Sequence, residues 1–548
     1  MRLINPVPGR TLVFAISFLC ILWSASLSAK PSVTEVKTTM KLASQFMLDK
    51  VSYRGAFVWS YLPDFSRQWG ELEARRSMIW MQPPGTATVG HLFLDAYNAT
   101  GDEYYYSAAE RVAGAIIFAQ HPSGGWNYLA DFAGEAALKD WYATIGKHAW
   151  RLEEFQHYYG NATFDDAGTA EAAKFLLRLY SAKLDPKYRP ALDKVIDFVL
   201  KSQYPVGGWP QRFPLMHDHP GKNQPDYTSF ITFNDDVAAE NIDFLLMCYQ
   251  VLGESRVREP VIRAMNVFLT TQMGAPQPGW SLQYTPELQP AGARSYEPKS
   301  LHAPTTADNI RMLIQFYRMT GETKFLARIP EAIEWLESLK LPVKPEYEGR
   351  SHASFIELGT NRALFTHRRG SNITNGEYYV DYQAKHMLAH YKSAARVDTD
   401  RLRREYAQAL ALSPEQAVVG SPLHAMGEIR LPAFFTLGKV SVSDLNFRAQ
   451  KPDQSADISA QARALIEGLN PQGYWPTPLY YTTNPYRGPA PGEKKNIPPT
   501  EAFAATMVGD EWDTSPYPVE TPVMGISTAA YIKNMGVLIQ YLQQQASQ

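Results

Sequence analysis

Apolar residues recur at the spacing of amphipathic helices through most of this chain. They stand three or four residues apart, which places them on one face of a helix. Each clear segment is followed by a short polar break and a second helical segment, so the pattern predicts helical hairpins. The predicted pairs are 166–180 with 191–203, 236–252 with 260–272, and 306–321 with 329–340, and a last helix covers 529–544.

A turn that contains tryptophan recurs after predicted second helices. It appears as Gly-Gly-Trp at Trp126 and Trp209 and as Pro-Gly-Trp at Trp280, and a further turn, Gly-Tyr-Trp at Trp475, stands before the last helix. A hairpin of this kind cannot bury its apolar face alone, so neighbouring hairpins must stack. We therefore predict a mainly α fold, an (α/α) toroid-like array of helical hairpins with long functional loops on one face. Proline-rich stretches at 275–304 and 471–500 predict two such loops.

The N-terminus has the layout of an export signal. Arg2 and Arg10 precede the apolar run 11–23, and small residues follow as far as Ala29. The run is too short to span a bilayer comfortably. We expect residues 1–29 to be a signal peptide and the protein to be secreted or periplasmic, with no membrane segment in its mature form. Its removal would leave a single cysteine and no intrachain disulfide.

The amino-acid composition bears on the kind of partner that the protein binds. The 548 residues include 53 basic and 55 acidic side chains, a balance that argues against a nucleic acid partner. Aromatic residues make up 12% of the chain, which suits sugar-stacking surfaces as well as helix packing. We expect the protein to be a monomer.

Two predicted helices begin with paired aspartates. Asp165 and Asp166 stand in ATFDDAGT, and Asp235 and Asp236 follow ITFN. An aspartate before a helix commonly caps it by accepting backbone N–H groups, but one cap needs only one carboxylate. We align Asp165 with Asp235 and Asp166 with Asp236. Carboxylates from neighbouring repeats on one loop face would suit a hard cation such as Ca²⁺.

Candidate cationic side chains stand in loop-like segments rich in Gly, Pro, Asn and Thr. Several guanidinium groups beside a cation site favour a polyanionic substrate with carboxylates. These residues are Arg212, Arg294, Lys299, Arg362, Arg368 and Arg369.

The motifs FDDAGT, GGWPQ, ITFNDD, PGWSLQY, ARSYEPKSL and FIELGTNRALF, in this order, resemble those of the family-10 pectate lyases. The resemblance covers about residues 160 to 395, and GGWPQ after a helix ending in glutamine is its most specific motif. It implies an (α/α) toroid-like fold and calcium-dependent β-elimination of polygalacturonate. A cation on the uronate carboxylate would stabilise the enolate-like intermediate of that reaction.

The resemblance also implies roles for residues of this chain. Asp165 and Asp235 match an acidic pair that serves calcium and substrate, and we add Asp236 to the candidate metal ligands. Arg368 best matches the catalytic base, and Arg362 is a second candidate because spacing in this loop is ambiguous.

The candidate substrate-binding residues are Trp209, Arg212, Arg294 and Lys299. Trp209 would stack on a sugar or hold the shape of its loop. Arg212 would meet a uronate carboxylate, and Arg294 matches the substrate-binding arginine of the family.

We divide the chain into the signal peptide 1–29, an N-terminal helical extension 30–155, a pectate-lyase-like catalytic domain 156–395 and a C-terminal extension 396–548. The last part either completes the helical array or forms a separate module.

Two other functions stay open at this point. A glycoside hydrolase on the same scaffold would need two suitably spaced carboxylates, from Asp165, Asp235 or Glu297. A non-catalytic uronate-binding protein is suggested by Ser354, which stands where the family has an arginine.

Overall fold

A computed structural model of the protein describes residues 30–216, 226–372, 376–391, 393–427, 431–442, 444–446, 457–489, 503 and 505–547. The predicted signal peptide, 1–29, lies outside the described residues. Within the described part of the chain, no helix combines the length and the apolarity needed to cross a membrane.

Helices are the predominant regular structure, and every helix predicted from periodicity is present with its ends shifted by a few residues. The α-helices are α1 (Val33–Phe46), α2 (Thr86–Thr100), α3 (Glu103–Ala119), α4 (Glu135–Trp141), α5 (Gly168–Lys183), α6 (Arg189–Ser202), α7 (Val237–Leu252), α8 (Arg258–Thr271), α9 (Ala303–Thr320), α10 (Ile329–Ser338), α11 (Thr399–Leu410), α12 (Pro414–Ala417), α13 (Ile458–Gly468) and α14 (Thr528–Ala546).

The helices form two layers. Helices α14, α2, α5 and α7 lie side by side in that order, and α3, α6 and α8 are the second helices of their hairpins. Helix α5 is buried without a break from Gly168 to Leu179, whereas the buried residues of α6 recur at amphipathic spacing. A helix buried on all faces belongs to the inside of an array and an amphipathic one to its outside. The predicted (α/α) toroid-like array of hairpins is confirmed.

Both extensions are part of this array. Helix α13 packs on α14, and α14 packs on α1 and α2. The segment after α11 crosses the C-terminal ends of the inner helices: the Tyr317 hydroxyl donates to Leu412 O (2.6 Å), the Gly427 N–H to Tyr249 O (3.3 Å) and the Asn98 amide to Ala433 O (2.7 Å).

The strands are short and all of their pairings are antiparallel. They are β1 (Ser60–Tyr61), β2 (Gln68–Trp69), β3 (Glu73–Ala74), β4 (Met78–Trp80), β5 (Leu129–Asp131), β6 (Ala162–Thr163), β7 (Arg212–Phe213), β8 (Ile231–Thr232), β9 (Gln283–Tyr284), β10 (Pro290–Ala291), β11 (Leu301–His302), β12 (His352–Ala353), β13 (Phe355–Ile356), β14 (Ala363–Arg369), β15 (Glu377–Asp381), β16 (Ala394–Ala395), β17 (Thr477–Thr483) and β18 (Pro516–Ser527).

The sheets join segments that are distant in sequence. Their orders are β17-β18-β1-β2-β3, β11-β13-β14-β15, β10-β9-β8, β12-β16, β4-β5 and β6-β7. The prediction of a loop over the whole of 471–500 is wrong in one part, because the aromatic and β-branched run Thr477–Thr483 pairs with β18 as strand β17.

The tryptophan turns close the outer helices. Each indole N–H donates to a carbonyl ten to twelve residues upstream, in the preceding helix: Trp126 to Ile116, Trp209 to Val199, Trp280 to Phe268 and Trp475 to Leu465, all at 2.8–2.9 Å. Gly207 has φ +111°, and a Cβ there would lie 2.2 Å from a backbone oxygen of α8. The turn is therefore a repeated packing device of the array.

Candidate active site

Two turns at the starts of α5 and α7 carry the paired aspartates. Each turn has two successive residues with left-handed backbone, with φ between 48° and 55°, immediately before the helix. This geometry makes Asp166 equivalent to Asp235. The predicted alignment of the two pairs is thus wrong by one residue, since the turns correspond when counted from their shared Thr-Phe. The corrected equivalences are Asp165 with Asn234, Asp166 with Asp235, and Ala167 with Asp236.

Three of the four aspartates meet. Oxygen atoms of Asp165, Asp166 and Asp235, here called the acidic trio, all lie within 4.8 Å of one another. The fourth, Asp236, is exposed outside the trio.

Asp165 is the buried member of the trio. Its Oδ2 accepts hydrogen bonds from the Tyr128 hydroxyl and from Gln211 Nε2 (2.8 Å). Its Oδ1 is buried and has no hydrogen-bond partner within the described part of the structure. A buried oxygen without a hydrogen bond destabilises the folded protein unless a bound ligand or ion contacts it.

Arg294 lies behind the trio and is occupied by protein carboxylates. Its side chain is only 2% exposed. Its Nη2 donates to Asp165 Oδ2 (2.8 Å), its Nε to Glu154 Oε2 (3.1 Å) and its Nη1 to Glu297 Oε2 (3.4 Å), and Nη1 lies 3.8 Å from Asp235 Oδ2. This guanidinium therefore holds the acidic residues together.

The cluster has more carboxylates than Arg294 can neutralise. Burial, followed by the charge of Asp165, raises the pKa of Asp166 to about 7. Burial, followed by the charges of Glu154 and Asp166, raises the pKa of Glu71 to about 8. Burial also raises the pKa of Asp235. The amide of Gln82 bridges Asp166 and Glu71. Ionising all of these groups together would require a further cation, and the oxygen-only donor set suits Ca²⁺.

Three adjoining cavities form a groove over this cluster. The first, about 650 Å³, is lined by Arg294, Lys299 and Tyr378. It shares Glu297 with the second, about 440 Å³, which shares Asp235 with the third, also about 440 Å³. The lining of this groove includes two members of the acidic trio, Asp166 and Asp235.

Arg368 lies beneath the wall of this groove. It stands on β14 opposite Tyr378, is 1% exposed, and its guanidinium carbon lies 3.7 Å from the ring centre of Trp150. Nη1 donates to Gly370 O (3.2 Å), while Nε and Nη2 have no hydrogen-bond partner among the residues that the structure describes. A Cβ placed on Gly376, which lines the first cavity, would come 2.2 Å from Nη2. Burial lowers the pKa of Arg368.

The structure separates Arg362 from Arg368. Arg362 is exposed before the first residue of β14, with its guanidinium 3.3 Å from the ring centre of Tyr382. The two arginines are six strand residues apart, or roughly 20 Å at about 3.3 Å per residue. They cannot serve one reaction centre in this arrangement.

The candidate substrate-binding residues lie at different depths. Trp209 is 0% exposed, so of its two predicted roles the structure supports the one of holding the loop, and a buried ring cannot stack on a sugar. Arg212 is buried between the rings of Tyr128 and Tyr159 and donates to Asn127 Oδ1 (3.0 Å). Lys299 is exposed in the groove.

Several residues of the cluster were missed in the sequence. Glu71, Gln82 and Tyr128 precede the segment that carries the family motifs, and nothing in their local pattern marks them. Glu154 was within reach of sequence reasoning, because Glu153 and Glu154 form an adjacent acidic pair, as the aspartates do.

Comparison with known proteins gives a family match over part of the chain. Residues 137–384 match the family model described as pectic acid lyase. This match confirms the resemblance found in the sequence and supports a pectate lyase-like polysaccharide lyase at family level. No curated protein sequence matches the chain.

Solved structures with a similar arrangement share little sequence with the chain. A family 10 polysaccharide lyase from Cellvibrio cellulosa, an aspartate-to-alanine variant in complex with trigalacturonic acid, is 16% identical, with 60% of this chain and 99% of that chain covered and a TM-score of 0.38. A cellobiose 2-epimerase from Spirochaeta thermophila is 11% identical, with 95% and 100% covered and a TM-score of 0.39. An alpha-1,6-mannanase from Salegentibacter is 13% identical, with 57% and 72% covered and a TM-score of 0.31.

Proposed function

We propose that this chain, whose residues 137–384 match the pectic acid lyase family, is an exported monomeric enzyme that cleaves polygalacturonate or a related polyuronate by calcium-assisted β-elimination. The observation that carries the proposal is the acidic trio, with its unpartnered Asp165 Oδ1 and with Asp166 and Asp235 lining the groove. Such a site holds a hard cation where an acidic sugar chain would pass.

The residues fit calcium as the cofactor. Asp165, Asp166 and Asp235 would hold the ion, which when bound would neutralise the uronate carboxylate and stabilise negative charge at the neighbouring carbon. Arg294 fixes the position of Asp165 through a direct ion pair. Arg294 is thus assigned to positioning the ligands, because all of its donors already face protein carboxylates.

Arg368 is our choice for the base. Its burial lowers the pKa, which makes the neutral guanidine more accessible, and two of its nitrogen atoms lack partners in the described structure. Taking the proton from C5 would let the C4–oxygen bond break, with a C4–C5 double bond in the product and the proton returned to the leaving oxygen. Arg362 is not assigned a role in this step.

The C-terminal extension packs beside the strand that carries Arg368. The Ser371 hydroxyl donates to Asp510 Oδ2 (2.8 Å), and the backbone N–H of Trp150 donates to Asp513 Oδ1 (3.4 Å). These contacts place residues 510–513 against the end of β14. Substrate would reach the guanidinium from the side of Gly376, which lines the first cavity and lies against Nη2 of Arg368.

The test is an ultraviolet assay for unsaturated product on polygalacturonate, with Ca²⁺ or with a chelator. We expect product only with Ca²⁺, a loss of kcat of at least about 100-fold in Arg368→Lys, and near-full activity in Arg362→Ala. New reducing ends without ultraviolet absorbance would indicate a glycoside hydrolase. Binding of oligogalacturonate without any product would indicate a non-catalytic binding protein, and either result would reject the elimination.

A further inference from the structure

A segment of the C-terminal extension reaches the groove from the opposite end of the helical array. We call residues 431–442 the strap. Its anchor is buried in the array: Asp95 of α2 accepts the backbone N–H groups of Phe435 (3.0 Å) and Thr436 (2.8 Å) and forms an ion pair with Arg178 of α5. The Phe435 ring stacks on His91 with the ring centres 5.0 Å apart. The anchor therefore fixes the strap to two inner helices.

A tight turn carries the strap from this anchor to the third cavity of the groove. The N–H groups of Gly438 (3.2 Å) and Lys439 (2.7 Å) both donate to Phe435 O. Lys439, Val440 and Ser441 then line the cavity together with Asp166 and Asp235 of the acidic trio. Lys439 is thus four residues from a buried anchor and in the same cavity as two candidate calcium ligands.

The third cavity is lined by acidic side chains, with Lys439 as the exception among the described residues. Among the described lining residues, Lys439 is the one cationic side chain, and the acidic ones are Glu71, Asp166, Glu171, Asp235, Asp236 and Glu240. Lys439 is exposed, and none of the described carboxylates forms an ion pair with its ammonium group. Its charge is therefore available to an anion that enters the cavity.

We propose that Lys439 binds the carboxylate of a uronate unit in the third cavity, next to the unit that meets the acidic trio. The C-terminal extension then contributes a substrate subsite. This inference rests on the proposed function, because only a polyanionic chain offers a second carboxylate there. An acidic cavity repels such a chain, and the ammonium group of Lys439 offsets that repulsion at one subsite. With Lys299 at the other end, the groove has a cation on either side of the trio.

The experiment compares Lys439→Met, Lys439→Arg and the control Lys201→Met, which removes an exposed lysine from α6 on the outside of the array. The measurements are the Kd of trigalacturonate by calorimetry with Ca²⁺, KM and kcat on polygalacturonate, and Tm. We expect Lys439→Met to raise Kd and KM about tenfold, as loss of one charge-assisted contact would. Its kcat should stay within about twofold of the unmodified enzyme, Lys439→Arg should retain most of the affinity, and Lys201→Met should match the unmodified protein.

Two outcomes would overturn the inference while leaving the enzyme assignment intact. One is an unchanged Kd and KM in Lys439→Met. The other is a loss of affinity accompanied by a lower Tm and not rescued by Lys439→Arg, which would mean that Lys439 only supports the strap. If the unmodified protein neither binds nor cleaves any uronate polymer, the proposed function is rejected. The Lys439 subsite, which rests on that function, is then rejected as well.

Discussion

The turns before α5 and α7 have the same backbone conformation but differ in the charge of an equivalent side chain. Both follow a Thr-Phe pair, both contain two left-handed residues, and both receive a glutamine amide from the next tryptophan turn: Gln211 at Asp165 (2.8 Å) and Gln283 at Asn234 (3.4 Å). The first turn has a buried carboxylate where the second has a neutral amide. Stacked repeats thus supply the geometry, and a substitution at one position of one repeat supplies the charge.

Asp165→Asn would make the first turn like the second, and we expect the largest effect from it. The substitution removes the buried charge that pairs with Arg294 and one of three candidate calcium ligands. Activity with saturating Ca²⁺ should fall at least about 100-fold, and the free energy of unfolding should fall by about 3 kcal/mol, since a buried pair is broken. Steady-state kinetics and denaturant unfolding measure the two effects. Near-normal turnover would show that the charge difference between the turns has no catalytic meaning.

Features that depend on interactions between residues close in sequence were predicted well, and features that depend on distant residues were not. The periodicity of α5 and α7 is local, so both helices were predicted almost to their ends. The meeting of Asp165 with Asp235 was predicted from the repeat, but the alignment was wrong by one residue, because the two turns were not counted from their shared Thr-Phe pair. The role of Trp209 was ambiguous because its indole hydrogen bond to Val199 depends on how the chain closes in three dimensions.

Contacts between distant segments were beyond any sequence pattern. Glu71 reaches Asp166 through Gln82, and Lys439 faces both of them from the far end of the chain. Charged residues in loops are usually solvated, so nothing separates these from other surface charges until the array brings the loops together.

Asp235→Ala tests the second turn and should have an intermediate effect. Asp235 is 31% exposed at the side chain and lies 3.8 Å from Arg294, so it is held less tightly than Asp165. We expect activity at low Ca²⁺ to fall about tenfold and to recover in part with excess Ca²⁺, because two ligands remain. A calcium titration of activity measures this. If excess Ca²⁺ restores nothing, Asp235 acts on substrate instead of on the ion.

The two glutamines give a smaller and matched pair of changes. Gln211→Ala removes a donor to the charged Asp165, whereas Gln283→Ala removes one to the neutral Asn234. We expect Gln211→Ala to lower kcat/KM several-fold and Gln283→Ala to leave it within about twofold, since hydrogen bonds to ionised groups are the stronger ones. Equal losses in kinetic assays would mean that both glutamines serve only the shared scaffold.

The smallest expected effect is on the pH dependence of stability and its response to calcium. This effect also distinguishes the first turn from the second. In the folded protein Asp166 keeps its proton up to a pKa of about 7, and Glu71 up to about 8, both above their unfolded values. The folded state therefore binds more protons than the unfolded state between about pH 4 and pH 8. Without calcium, the stability contributed by these groups is present at low pH and is lost as the pH rises through this window.

Calcium binds the ionised carboxylates, so it should offset that loss. We expect added Ca²⁺ to raise Tm by a few degrees at pH 8 and by less at pH 5. Calorimetry with Ca²⁺ or with a chelator at the two pH values measures the difference. Asp166→Asn, in the first turn, should reduce it, whereas Asp236→Asn, which alters the exposed aspartate of the second turn outside the acidic trio, should preserve it. A calcium effect that is equal at both pH values, or equally reduced in both variants, would place the ion outside the trio.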